Sequence, residues 1–232
     1  MPPTPTRAIA LETTSRRGEV ALVAGGRVLA EDAFEAGFKH TAHLIPLIDR
    51  LYRAAGWAPR EVSEVYVSVG PGGFTGTRIG VTFAKSLAWA TGAKVVAVPT
   101  PAVVVENAPG EARHALVVVD ARRGKVWVEP FARDADGAWQ SAGEPRLTTL
   151  ADALAAAPRP VWLVGEGVAY HAAAIDPHDR AVNVCPDVQP RAAVVARIGW
   201  ALARAGWFAD PFALAPTYVR RPEAEEKRMG VE

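Results

Sequence analysis

A pentapeptide that occurs almost twice constrains the fold more than any other feature. Arg16-Arg17-Gly18-Glu19-Val20 and Arg122-Arg123-Gly124-Lys125-Val126 differ at one position and lie about half the chain apart. Each follows an apolar run that ends in a carboxylate, Glu12 or Asp120, and each leads into a second apolar run. A strand–acid–turn–strand unit met twice in this way predicts two related lobes.

The rest of the chain fits that frame. Arg7–Glu12, Glu19–Val23 and Arg27–Phe34 read as strands, with Gly25-Gly26 turning the chain between the last two. Leu44, Leu47, Ile48, Leu51 and Ala55 recur at helical spacing, which predicts a helix from Thr41 to Ala55 with Thr41 as N-cap and Pro46 bending it. Glu64–Val69 alternates like a strand, and a glycine-rich turn, Gly70–Gly76, leads into a helix ending near Thr91. Lys94–Val98 follows as a buried-type strand. The second half opens with a hairpin, Ala115–Asp120 and Lys125–Phe131, and continues through a turn at Asp136-Gly137. A short helix (Thr149–Ala157), strands at Val161–Val164 and Val182–Cys185, and a last helix (Arg191–Ala205) complete it. From Pro216 onward the chain reads as extended, charged and loosely held. Hairpins opening each half, followed by β/α units, are the pattern of an α/β, actin-like ATPase (ASKHA) fold. That fold holds nucleotide phosphates on its two hairpin turns.

Composition removes several classes of function. The 232 residues carry a formal net charge of +1, so no global field draws the chain to nucleic acid or membrane. A single cysteine, Cys185, excludes an intrachain disulfide and is expected as a small buried hydrophobe. The start, Met1–Arg7, lacks the apolar core of a secretory signal, and the apolar stretch Ala192–Ala203 is short and broken by Arg197. These features point to a cytoplasmic protein with no membrane partner.

The turn Val69-Gly70-Pro71-Gly72-Gly73-Phe74-Thr75-Gly76-Thr77-Arg78 joins a strand to a helix, where backbone amides can hold an anion. It is no P-loop, because Thr77 stands where the lysine belongs, and no dinucleotide fingerprint, because Thr75 replaces the third glycine. The helix behind it is more informative. Gly76, Gly80, Ala84 and Ala88 recur every fourth residue as a stripe without side chains, and Gly80 costs about 1 kcal/mol against Ala. With Ile79, Phe83 and Leu87 assigned to the core, the bare stripe is expected to meet another helix. Ile45 and Tyr52 similarly extend the apolar surface of the Thr41–Ala55 helix. On this reading Gly80→Leu would leave the monomer folded and abolish partner binding.

Gly70–Gly80 resembles the Gly-Pro-Gly-Ser-Phe-Thr-Gly-x-Arg-Ile-Gly signature of the TsaB (YeaZ) family, with Gly73 in place of Ser. Four further segments agree in order: Ala10–Ser15, with Glu12 for the usual Asp; His40-Thr41 through Leu51; Val119–Val126; and Pro216–Arg220. The resemblance spans residues 7 to 221. It implies an actin-like fold with a reduced second lobe, divided as 1–102, 103–206 and an extended tail at 207–232. It also implies a non-catalytic subunit in the synthesis of threonylcarbamoyladenosine beside the tRNA anticodon. The implied partners are the catalytic subunit TsaD and the ATPase TsaE, with tRNA as substrate of the complex and a homodimer when the chain is alone. The interface would use Thr41, Leu44, Ile45, Ile48 and Tyr52 of one helix, and Gly76, Arg78, Gly80, Ala84 and Ala88 of the other. No cofactor of its own is implied; adenine nucleotide would sit at the boundary with TsaD.

Enzymatic alternatives find little support in the residues. His40 and His43 stand three apart at a helix start without a third ligand, and His114, His171 and His178 show no ligand spacing, so no metal is expected. A serine hydrolase would need a Gly-x-Ser-x-Gly turn. The stronger rival is an actin-fold small-molecule kinase with Glu12 and Asp120 as its carboxylates. Glu12 displaces its carboxylate by about a bond length, ~1.5 Å, relative to Asp, and the turn Thr13–Arg17 lacks the early glycine that wraps a phosphate. Glu12, Thr13 and Asp120 are therefore read as a degenerate nucleotide site. The basic tail residues Arg220, Arg221, Lys227 and Arg228 are interleaved with Glu223, Glu225 and Glu226, a solvated charged end rather than a tRNA grip. Trp127, Trp139, Trp162 and Trp200 are assigned to packing.

Overall fold

The computed structural model describes residues 5–35, 40–185 and 189–219; of His40 and Thr41 the backbone alone is described. The basic tail from Arg220 lies outside the described residues. Contacts divide the chain into two compact units, 1–107 with 189–216, and 108–188 with 217–232.

The first unit opens with an antiparallel meander, β1 (Arg7–Glu12), β2 (Arg17–Ala24) and β3 (Arg27–Glu35). Helix α1 (His40–Ala55) leads to β4 (Glu64–Ser68), and α2 (Phe74–Thr91) to β5 (Lys94–Val98) and the short α3 (Thr100–Val104). The sheet order is β3-β2-β1-β4-β5, with β4 parallel to both β1 and β5. Alternation along β1 sends Ile9 and Leu11 to one face, against Leu44, Leu47 and Ile48 of α1 and Val81 and Ala84 of α2. Ala8 and Ala10 face the other side. Because α1 begins at His40, Thr41 lies inside the helix rather than capping it.

The second unit repeats the plan. Strands β6 (His114–Asp120), β7 (Val126–Arg133), β8 (Trp139–Ser141) and β9 (Arg146–Thr148) precede α4 (Leu150–Ala156), β10 (Val161–Val164), α5 (Gly167–Tyr170) and β11 (Val182–Val184). The order β8-β7-β6-β10-β11, with β9 also on β7, is that of the first sheet. Its antiparallel hairpin and parallel neighbours match as well. This duplicated topology is the actin-like α/β fold. Thr149 caps α4, accepting a hydrogen bond from Asp152 N at 3.1 Å.

The last helix, α6 (Ala192–Arg204), departs from the expected division at 103–206. It packs on the first sheet, where Ala192, Val195 and Ala196 meet Ala8, Ala10 and Tyr66. Glu19 Oε2 accepts from Ala192 N at 3.0 Å, Arg204 pairs with Glu64 at the other end, and a Cβ on Gly199 would lie 2.4 Å from the Tyr66 ring. The helix thus covers the sheet face opposite α1 and α2. Nor does an extended tail begin at 207: Ala209 bridges Val95 of β5, Leu214 is buried, and residues to Pro216 belong to the first unit. Cys185 is buried, as expected. No helix among the described residues is long and apolar enough to cross a membrane.

Candidate partner-binding site

The glycine-rich turn is shaped by the first hairpin. Gly73 N donates to Thr14 O at 2.6 Å, and Thr13 Oγ1 donates to Gly76 O at 2.8 Å. A Cβ on Gly72 would lie 2.7 Å from Thr14 O, and one on Gly80 would lie 2.3 Å from Thr13 Oγ1. Real Cβ atoms do not approach other atoms so closely, so both positions need glycine to let the β1–β2 turn dock on α2.

This corrects the reading of the bare stripe. Gly76, Gly80, Ala84 and Ala88 are all buried, facing the protein's own β1 and β4 rather than a foreign helix. Ile48 and Tyr52 are likewise core residues, at 4% and 5% exposure. Burial pushes the Tyr52 hydroxyl upward, so it stays protonated at any working pH. Of the face assigned to the core, Leu87 is buried as expected, while Ile79 and Phe83 pack against the core but stay partly open. Ile79 and Phe83 are half-buried, and with Leu44, Ile45, Arg78, Thr82 and Ser86 they line an apolar groove of about 440 Å³ between α1 and α2. Ile45 is 54% exposed. Arg78, whose guanidinium stacks 3.7 Å from the Phe74 ring, is the one charge in the lining among the described residues. Of the ten expected interface residues, then, Ile45 and Arg78 are exposed in this groove, and Leu44, a core residue, forms part of its floor. Thr41's side chain lies outside the described residues.

Glu12 is turned into the interior. It is fully buried, and its Oε1 accepts from Thr14 N at 2.6 Å and Thr14 Oγ1 at 2.5 Å. Ser68 Oγ lies beside the same carboxyl, yet neither it nor Glu12 Oε2 reaches a partner at hydrogen-bonding geometry. Burial pushes this carboxyl above the usual range; Ser68 and Thr14 pull the other way, and the Glu19 carboxylate adds a smaller upward push.

In the second unit Asp120 holds the equivalent strand end. Its Oδ1 lies 3.0 Å from His171 Nε2 and accepts from Arg122 N at 3.2 Å. His171 was legible only as a histidine without ligand spacing; it follows α5, and its partner ends β6, far away in sequence. Arg122 and Arg123 adopt positive φ, 64° and 52°, at the tip of the hairpin. No group of His, Cys, Asp or Glu among the described residues could hold a metal ion. Two aromatics that sequence reasoning missed are Trp89 and Phe212, each 80% exposed.

Duplicated actin-like sheets, a glycine turn closed onto its own hairpin and an uncovered pair of helices define an ASKHA-fold protein with an open apolar helix surface. The family model described as TsaD, tRNA N6-adenosine threonylcarbamoyltransferase, matches residues 34–227. The tRNA threonylcarbamoyladenosine biosynthesis protein TsaB of Bacillus subtilis is 29% identical over 94% of this chain and 96% of its own length. The Escherichia coli protein of the same name is 30% identical over 57% of this chain and 58% of its own. Among solved structures, YeaZ from Pseudomonas aeruginosa superposes with a TM-score of 0.76 at 26% identity, covering 91% of this chain and all of that one. The chain belongs to the TsaB (YeaZ) family of tRNA threonylcarbamoyladenosine biosynthesis proteins.

Proposed function

We propose that this chain is the non-catalytic subunit of the threonylcarbamoyladenosine-forming complex and seats TsaD on the α1–α2 groove. The groove is the observation that carries the reading. Ile45, Ile79 and Phe83, over a floor that includes the buried Leu44, offer an apolar surface bordered by a stacked arginine, the kind of face that takes the apolar side of a partner helix. Exposed aliphatic surface of this kind is also what lets the free protein pair with itself. TsaE would join the assembled pair, which would work on tRNA in the cytoplasm.

The first hairpin supports a non-catalytic role. A phosphate-binding turn must present free backbone amides, and a magnesium-positioning carboxylate must face the nucleotide. Here the Thr13-Thr14 turn is packed under Gly72 and Gly80, and Glu12 is buried with its proton favoured. These residues do not fit a nucleotide's phosphates. The chain alone is therefore assigned no nucleotide, and adenine nucleotide in the complex is assigned to the TsaD side of the boundary.

Reconstitution tests the reading: threonylcarbamoyladenosine on tRNA is measured with the other factors, with and without this chain. Product is expected to fall to background in its absence and to return with the wild-type protein but not with Ile45→Asp, which places a charge in the groove. Undiminished product without the chain would sink the proposal.

A further inference from the structure

The one position at which the repeated pentapeptide differs reverses a charge, Glu19 against Lys125. In the first unit the turn is neutralised and packed. Arg17 Nε pairs with Glu19 Oε1 at 3.1 Å, and Gly18 is buried, where a Cβ would lie 2.2 Å from the Phe34 ring. In the second unit the matching residues, Arg122 to Lys125, all face solvent, and a Cβ on Gly124 would meet nothing within 4 Å. Arg122 leans on Asp120 at 3.6 Å, while the side chains of Arg123 and Lys125 have no partner among the described residues. The tip is nonetheless held in one shape. Arg122 and Arg123 take positive φ, 64° and 52°, a region that L side chains leave to glycine, and Gly124 follows at 71°. Ala121 N donates to Lys125 O and Lys125 N to Arg122 O, both at 3.0 Å, which closes the turn. Its root is clamped as well: Asp120 Oδ1 meets His171 and Arg122 N, and a Cβ on Gly167 would lie 2.7 Å from Asp120 N.

Glycine would adopt the backbone of Arg122 and Arg123 without strain, so the turn keeps arginine there against its own conformational preference. The result is three cations gathered on one projecting point. No large apolar residue lies between Ala121 and Lys125, so the tip lacks the hydrophobic centre of a protein–protein contact. Unpaired guanidinium and ammonium groups on a rigid point suit phosphodiester oxygens, which arginine takes two at a time. We propose that the Arg122–Lys125 hairpin is an RNA contact, in which Arg123 and Lys125 hold two backbone phosphates of the tRNA. Such contacts fix where the RNA lies without reading its bases. With a net charge of +1 the chain exerts no general pull on RNA, so the contact depends on this turn. The inference rests on the reading that the chain works in a tRNA-modifying complex, and adds the surface that it turns to the RNA.

The test is the tRNA affinity of the complex assembled with the full chain, by fluorescence anisotropy over a salt series. The double variant Arg123→Gln, Lys125→Gln removes two phosphate contacts. It should flatten the slope of log affinity against log salt by about 1.5 and weaken binding about tenfold at low salt. The loss should be equal for cognate and non-cognate tRNA, because phosphates carry no sequence. Arg123→Lys keeps the charge and should keep most of the slope. Arg123→Gly frees the left-handed backbone, so its thermal midpoint should not fall below wild type while about half of the slope change appears. Wild-type tRNA affinity and slope in the double variant overturn the hairpin contact. A loss confined to ATP or to TsaD binding, with tRNA affinity unchanged, gives the tip to a free nucleotide or a protein and overturns it too. Undiminished threonylcarbamoyladenosine when the chain is omitted overturns the underlying reading instead, so the two failures are told apart.

Discussion

The two units are built on one strand order but differ in what the helices around it are free to do. In the first, α1 and α2 run 16 and 18 residues; at the corresponding places in the second, α4 runs 7 and α5 runs 4. Both units use a glycine to bring the turn after a parallel strand against the end of the first strand. Gly80 does this against Thr13, and Gly165 and Gly167 against Val118–Asp120. The inward face is therefore common property, and the outward face is not. One turn of helix can close a sheet, but a continuous outward stripe needs several, so among the described residues only the first unit offers a helix surface of that length.

Substitutions can break that comparison at successive levels. The largest effect is expected at the shared glycine approach. Gly80→Leu should destabilise the protein by more than about 4 kcal/mol, because its Cβ has nowhere to go beside a buried, hydrogen-bonded threonine. Gly167→Leu meets backbone atoms at 2.7–2.9 Å and should cost as much. Chemical denaturation of both decides whether the correspondence is physical: if only one is damaging, the two turns are not equivalent devices. The outcome also reverses the expectation that Gly80→Leu spares the fold.

Next in size is Gly199→Val, which drives α6 off the Tyr66 ring and should cost about 1–3 kcal/mol by overpacking. Thermal unfolding that matched wild type would remove α6 from the set of elements securing the first sheet.

The two carboxylates should then separate by sign. Asp120→Asn replaces an acid bonded to His171 by a neutral amide, and should lower stability by about 1–2 kcal/mol near neutral pH. Glu12→Gln removes a carboxyl whose folded pKa stands above its ordinary 4.5. The folded state then holds its proton more tightly than the unfolded one. Its contribution to stability is complete below 4.5 and is lost as pH rises through the folded value. Stability of the wild type should therefore decline over that window, and Glu12→Gln should flatten the decline. An unchanged pH profile for Glu12→Gln would mean that the carboxyl binds its proton equally well folded and unfolded, so that burial does not raise it.

Much of this was legible in the residues. The near-repeat of Arg16–Val20 at Arg122–Val126 announced two related lobes, and periodicity located nearly every long element, because period two and period 3.6 are local consequences of strand and helix geometry. The short strands β8 and β9 and the single-turn α5 escaped notice, since each is too short to show a period. Of the groove's lining, the sequence singled out Ile45 and Arg78, while the exposed pair Trp89 and Phe212 escaped it because they come together only when the chain after α6 returns to lie beside α2.

By itself the sequence determined the fold class, the family and the two helices that carry the surface. The core face of α1 was legible in its stripe of Leu44, Leu47, Ile48 and Leu51, but which face of α2 looks inward was decided only in three dimensions. A row of glycine and alanine admits any close neighbour, and only the folded chain shows that the neighbour is its own Thr13 hairpin rather than a partner. The same holds for α6, whose stripe of Ala192, Val195, Ala196, Gly199 and Ala203 fits a flat apolar surface without naming one. Glu19, Glu64 and Tyr66 choose the first sheet for it through contacts with residues more than 130 positions away in the chain. Burial is a property of pairs of surfaces, and sequence periodicity describes one surface at a time.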